Sequence, residues 1–286
     1  MDAQLSKLLE FLHFPSVSTD SAYSNGVKQC AEWLTGELRE IGLDAQLHPT
    51  AGHPIVVAKN AHKPGRRTVL IYGHYDVQPV DPLPLWTHPP FEPHIENEII
   101  YARGATDNKG QIMAHILGVQ EALSHGELPV NLIFLIEGEE ECGSTHLETF
   151  LEEHRDELRC DIIAISDTGM VGRGIPTFTY GLRGIAALEI KITGPAMDLH
   201  SGIFGGAVAN PVTMLARLLA TLHDENGHVA VEGFYDGVAP IADWEKTSWA
   251  QLPGGDAETI EFTRVPRLFG EQGFTSREQV WARPTV

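Results

Sequence analysis

Asn131–Ser144 reads NLIFLIEGEEECGS. An unbroken apolar run ends in four glutamates, Glu137, Glu139, Glu140 and Glu141, packed into five consecutive positions. A short run rich in branched and aromatic residues, apolar on both faces, suits a strand covered on both sides, as inside a mostly parallel sheet. Carboxylates this close repel one another, and burial of the preceding strand raises the cost. Something positive has to hold them.

Three more short apolar runs surround this one: PIVVA (54–58), TVLIYG (68–73) and DIIAIS (161–166). Helical spacing lies between and before them. The N-terminal MDAQLSKLLEFLHF carries Leu5, Leu8, Leu9 and Leu12 on one face. Residues 27–41 place Ala31, Leu34, Leu38 and Ile41 together, with Gly42 as the stop. Further helices are expected over about 109–123 and 146–158. Alternating strands and helices predict an α/β fold with a mostly parallel sheet flanked by helices. After Asp167 a glycine-rich stretch without strong periodicity leads to IAALEIKITG (185–194), which alternates like a strand, and then to a helix after Pro211. These features predict a catalytic domain over 1–182 and a second, smaller α+β domain over 183–286.

Composition narrows the partners. Asp and Glu number 39 against 20 Lys and Arg, for a net charge of -19. That balance argues against nucleic acid and anionic membranes, which require basic patches. The three cysteines, Cys30, Cys142 and Cys160, are too few and too scattered for a disulfide framework or a zinc ribbon. Reduced thiols, a start without the basic and apolar blocks of a signal peptide, and no apolar run of about 20 residues predict a cytoplasmic protein without membrane spans.

The ends of the apolar runs carry the chemistry. TVLIYG runs into His74-Tyr75-Asp76, NLIFLI into the glutamates, and DIIAIS into Asp167. Ligands of open α/β sheets sit beyond the carboxyl ends of the strands, so these three ends converge on one crevice. A divalent cation there would answer the charge problem. Asp76, two residues after His74, shares its face if the strand continues, and can orient the imidazole. Asp107, in YARGATDNKG before a helix, is either a helix cap or a carboxylate able to bridge two ions. The glutamates read equally as a solvated loop. Cys142 reads as an inert small residue more readily than as a nucleophile.

Together, GHYDVQP, YARGATDNKG, EGEEECGS, ISD and DLHSG resemble, in order, the signature set of the co-catalytic di-zinc exopeptidases. That family includes aminoacylases, acetylornithine deacetylases, succinyl-diaminopimelate desuccinylases, glutamate carboxypeptidases and carnosinase-type dipeptidases. The wording GHYDVQPVDPLPLWTHPPFEP is most similar to the dipeptidase branch. The resemblance implies two Zn2+ ions (Mn2+ or Co2+ being possible substitutes), with His74 and Asp167 on one ion, Glu141 on the other, and Asp107 bridging them. It implies Asp76 behind His74, Glu140 as general base toward the metal-activated water, and His200 of DLHSG as oxyanion donor, reaching a partner subunit's site in a homodimer. It further implies a cis peptide after Asp107, and hydrolysis of a dipeptide amide. Deacylation or desuccinylation of a short N-acyl amino acid is the alternative, as is an inactive fragment that keeps the fold. Members of the family run beyond this length and return a last histidine to the second zinc. The resemblance therefore implies a truncated chain with an incomplete lid, a single tight zinc site, weak dipeptide turnover and an unpaired sheet edge.

Overall fold

The structure, a computed structural model, describes residues 3–286. The chain forms two compact units, the first ending at Thr168 and the second running Gly169–Val286. The division falls ahead of the boundary expected near residue 182.

The first unit is built from helices α1 (Ala3–His13) and α2 (Ser24–Glu40), strands β1 (Asp44–His48), β2 (Ile55–Lys59) and β3 (Thr68–His74), and the hairpin β4 (His94–Glu96) and β5 (Ile99–Tyr101). Helix α3 (Lys109–Ser124), strand β6 (Asn131–Glu137), helix α4 (Leu147–Glu153) and strand β7 (Ile162–Ile165) complete it. Met1 and Asp2, the start of the expected first helix, lie outside the described residues. Helix α4 is shorter than the helix expected over 146–158.

The main sheet has the order β1-β2-β6-β3-β7. Strands β3, β6 and β7 run parallel, and β2 is antiparallel to both β1 and β6. Every residue of β6 is buried. Because strand side chains alternate, Leu132, Phe134 and Ile136 enter one core with Phe11 of α1, Leu34 of α2 and Ile112 of α3. Ile133 and Leu135 enter a second core on the other face with Phe150 of α4 and Leu158. The run that carries the glutamates is therefore covered on both faces.

Strand β7 departs from the expectation of a fully covered strand. It lies at the sheet edge beside β3, and Ile162, Ile163 and Ile165 are exposed. Strand β1 was not expected, since DAQLH offers no apolar run.

The second unit contains helices α5 (Ser201–Phe204), α6 (Pro211–Ala220), α7 (Asp243–Trp249), α8 (Asp256–Thr263) and α9 (Ser276–Ala282). Its described residues include no strand, only an isolated bridge between His223 and Val229. The alternating segment at 185–194 is unpaired, with Ile185 97% and Leu188 89% exposed. A strand satisfies its backbone only through a neighbour, and alternation alone does not supply one. Near the end of the unit, Arg283 donates to both carboxylate oxygens of buried Glu271 at 2.7 and 2.6 Å. Trp249 meets Trp281 edge to face at 5.4 Å. No described helix is long and apolar enough to cross a membrane.

Candidate metal centre

The parallel register brings the chemistry to one edge. His74, the last residue of β3, pairs directly with Glu137 of β6, and Tyr72 pairs with Ile165 of β7. Asp167, two residues beyond β7, thus comes level with His74. Gly73 allows the start of α3 to approach this edge: a Cβ there would lie 2.0 Å from Ile112 Cδ1 and 2.7 Å from Asn108 Oδ1. The peptide after Asp107 is cis, as expected. Asn108 rather than Asp107 occupies the N-cap position of α3, so capping does not account for Asp107.

His74 is the centre of the cluster, and its side chain is fully buried. Its Nδ1 lies 3.1 Å from the Asp76 carbonyl oxygen and 3.4 Å from Asp76 Oδ1. An Nδ1–H donated in that direction leaves Nε2 as the lone-pair atom. Nε2 is buried without a hydrogen-bond partner. Around it stand Asp107 Oδ1 at 3.1 Å, Asp167 Oδ2 at 3.3 Å and Glu140 Oε2 at 3.9 Å. Among the described residues, donor atoms within 4.8 Å of one another form two groups here, His74–Asp107–Glu141 and His74–Glu140–Asp167. Asp107, expected to bridge two ions, groups with Glu141, and Asp167 groups with Glu140.

Asp76 does more than back the imidazole. Its carboxylate accepts the backbone N–H groups of Glu140 at 3.3 Å and Glu141 at 3.0 Å. One buried side chain thus holds His74 and the two glutamates in a common frame. Asn108 bridges the other side, donating to Asp167 Oδ1 at 3.0 Å and accepting from the His74 backbone N–H at 3.4 Å. Gln78 donates to Glu141 Oε2 at 2.7 Å. Sequence reading missed Asn108 and Gln78. Their only signal is adjacency to Asp107 and to the GHYD segment.

The other two glutamates have protein partners. Glu137 accepts from the Tyr72 hydroxyl at 2.6 Å and the Ser144 hydroxyl at 2.9 Å. Glu139 accepts from the His53 N–H at 3.2 Å and lies 2.7 Å from His146 Nδ1. Glu140 and Glu141 remain for the cluster.

Charge follows from this packing. Burial by itself would lower the His74 pKa, but the Asp76 hydrogen bond and the charges of Asp76, Asp167 and Glu140 overcome it and raise it to about 9. Burial pushes Glu140 up, with Glu141, Asp167 and Asp76 adding to the rise and His74 opposing it. Glu141 is likewise raised by burial, against the Gln78 hydrogen bond. An orphaned imidazole nitrogen ringed by carboxylates fits a divalent cation of the zinc type, which takes one imidazole with carboxylate oxygens.

His200, in the second unit, caps α5, and its Nδ1 accepts from the Gly202 N–H at 3.0 Å. That hydrogen bond places the ring proton on Nε2. All three cysteines are free, with Cys142 exposed beside the glutamates.

Residues 70–267 match peptidase family M20/M25/M40. The chain is 38% identical to the Cys-Gly metallodipeptidase of Candida albicans, over 84% of this chain and 53% of that protein. It is 35% identical to the human Beta-Ala-His dipeptidase, over 82% of this chain and 46% of that protein. Among solved structures, an M20 family metallo-carboxypeptidase from Sulfolobus solfataricus superposes with a TM-score of 0.76 at 34% identity, covering 98% of this chain and 62% of that one. Human carnosine dipeptidase 1 gives 0.72 at 28% identity, covering 93% and 59%. The chain spans about half the length of the curated relatives it matches. The chain therefore belongs to peptidase family M20/M25/M40.

Proposed function

We propose that the cluster around His74 is a divalent-metal centre for hydrolysis of a dipeptide amide bond, with zinc as the resident metal. The observation that carries this reading is the buried Nε2 of His74, without a hydrogen-bond partner and with three carboxylates inside 4 Å. His74, Asp107, Glu141 and Asp167 would supply the ligands of a two-ion centre. When bound, the metal polarises the scissile carbonyl and acidifies water.

The chain's own residues supply the rest. Asp76 fixes the Nδ1–H tautomer of His74 and, through the N–H groups of Glu140 and Glu141, the direction of both glutamates. Glu140 is the general base. Standing beside the cluster with its backbone N–H held by Asp76, it would accept a proton from water and return it to the leaving amine. His200, carrying its proton on Nε2, is the donor to the developing oxyanion. We assign that role to His200 of a second copy in a homodimer. The side chains of Val212, Met214, Leu218 and Leu219 on α6, exposed in the second unit, support an apolar contact between copies. Dipeptides, rather than N-acyl amino acids, are favoured by what the relatives named above act on. Three unpaired cysteines suit a reducing compartment such as the cytoplasm.

Replacing Glu140 with Gln tests the reading. Cys-Gly turnover should fall by about 100-fold or more, with metal content unchanged. Faster turnover of N-acetyl or N-succinyl amino acids than of Cys-Gly would overturn the dipeptide assignment, and an E140Q chain as active as the parent would overturn the base.

A further inference from the structure

The hairpin β4–β5 carries a second constellation that the centre at His74 does not use. His94 and Glu96 lie two residues apart on β4 and so share a face. His88, in the loop before the hairpin, stacks on His94 with ring centroids 3.7 Å apart and planes 22° from parallel. Tyr101, which pairs with His94 across the hairpin, has its ring 6.3 Å from that of His88. One donor atom each from His88, His94 and Glu96 lies within 4.8 Å of the other two. The two imidazoles are half-buried and the carboxylate is exposed. Among the described residues, no hydrogen bond or ion pair engages these three side chains.

We propose that His88, His94 and Glu96 form a surface site for a borderline first-row divalent cation of the Zn2+ or Cu2+ class, separate from the centre at His74. Two imidazole nitrogens and one carboxylate oxygen are the donor set such ions take, whereas Mg2+ and Ca2+ require a shell of oxygens. Bond lengths of about 2.0–2.2 Å to a tetrahedral ion put ligand atoms about 3.4 Å apart. The three donors lie within 4.8 Å of one another, and reaching binding separation requires side-chain rotation that fans the stacked rings apart. The fourth position faces solvent and takes water or an exogenous ligand. The loop that supplies His88 is fastened to the strand leading toward Asp107: the Pro90 carbonyl accepts the Arg103 N–H at 2.8 Å, and the Pro79 carbonyl accepts from the Arg103 guanidinium at 2.9 Å. Two of the three ligands therefore stand on a braced hairpin and the third on a loop pinned to it.

Titration of the chain with Zn2+ against a chromophoric chelator tests the site. The double substitution H88Q/H94Q should remove one bound equivalent, and E96Q should keep that equivalent with about tenfold weaker affinity. In a D107N/E141Q chain, which impairs the other centre, the equivalent due to this site should persist. An electron paramagnetic resonance spectrum with one Cu2+ added to the D107N/E141Q chain should show splitting from two imidazole nitrogens, and H94Q in that background should remove it. Unchanged Zn2+ stoichiometry and affinity in H88Q/H94Q, or Zn2+ taken up at this site only above millimolar concentration, would overturn the proposal. If H88Q/H94Q fails to fold, the Cu2+ spectrum decides alone: a nitrogen pattern indifferent to H94Q overturns it.

Discussion

Without a metal, the carboxylates around His74 favour a second ring proton, on Nε2, the atom proposed as a metal ligand. With its pKa raised to about 9, the imidazole is largely charged at neutral pH in a chelator-treated chain, paired with the carboxylates around it. A folded-state pKa above the unfolded value of about 6.5 contributes stability that is complete below that value and is lost as pH rises through about 9. Cation binding displaces the same proton. Apparent affinity for Zn2+ should therefore rise about tenfold per pH unit between pH 7 and 8.5, with close to one proton released per ion. Calorimetry in buffers of different ionisation enthalpy measures that release, and a pH-independent affinity would contradict the assignment of Nε2 as a ligand. The residues proposed as ligands stood out in sequence because each follows an apolar run or precedes a helix within a recognisable phrase. The supporting contacts did not. Asp76 reaches the backbone of Glu140 and Glu141, Asn108 reaches Asp167, and Tyr72 satisfies Glu137. These partners are distant in the chain, and only the strand register brings them together.

Strand β6 is the element on which the site depends, since it is buried throughout and ends at the glutamates. Phe134, fully buried, faces the core shared with α1, α2 and α3. Phe134→Ala should cost about 3–5 kcal/mol of unfolding free energy, readable as a shift of the denaturant midpoint at constant slope. A loss below about 1 kcal/mol would mean that the helices do not pack on this face. Strands β2, β3 and β6 were legible because burial on both faces leaves an unbroken apolar run. Strand β1 was not, because DAQLH at a sheet edge needs little apolar surface, and the three-residue strands β4 and β5 are too short to show a period. The segment at 185–194 has the alternation of a strand and no partner.

At the scale of the whole molecule, the main sheet ends at β7, whose exposed isoleucines line a strand with one paired edge. Such an edge templates association with further chains. Ile163→Lys should raise the concentration at which light scattering appears, while leaving the thermal midpoint within about 2 °C, because Ile163 is 59% exposed. Onset at an unchanged concentration would place self-association elsewhere. Anomalous diffraction at the zinc absorption edge tests whether the carboxyl edge of this sheet holds a metal. Crystals grown with Zn2+ should give an anomalous peak about 2.0–2.1 Å from His74 Nε2, within reach of Asp107 or Asp167. Zinc found elsewhere on the chain, with no peak beside His74, would contradict the metal assignment.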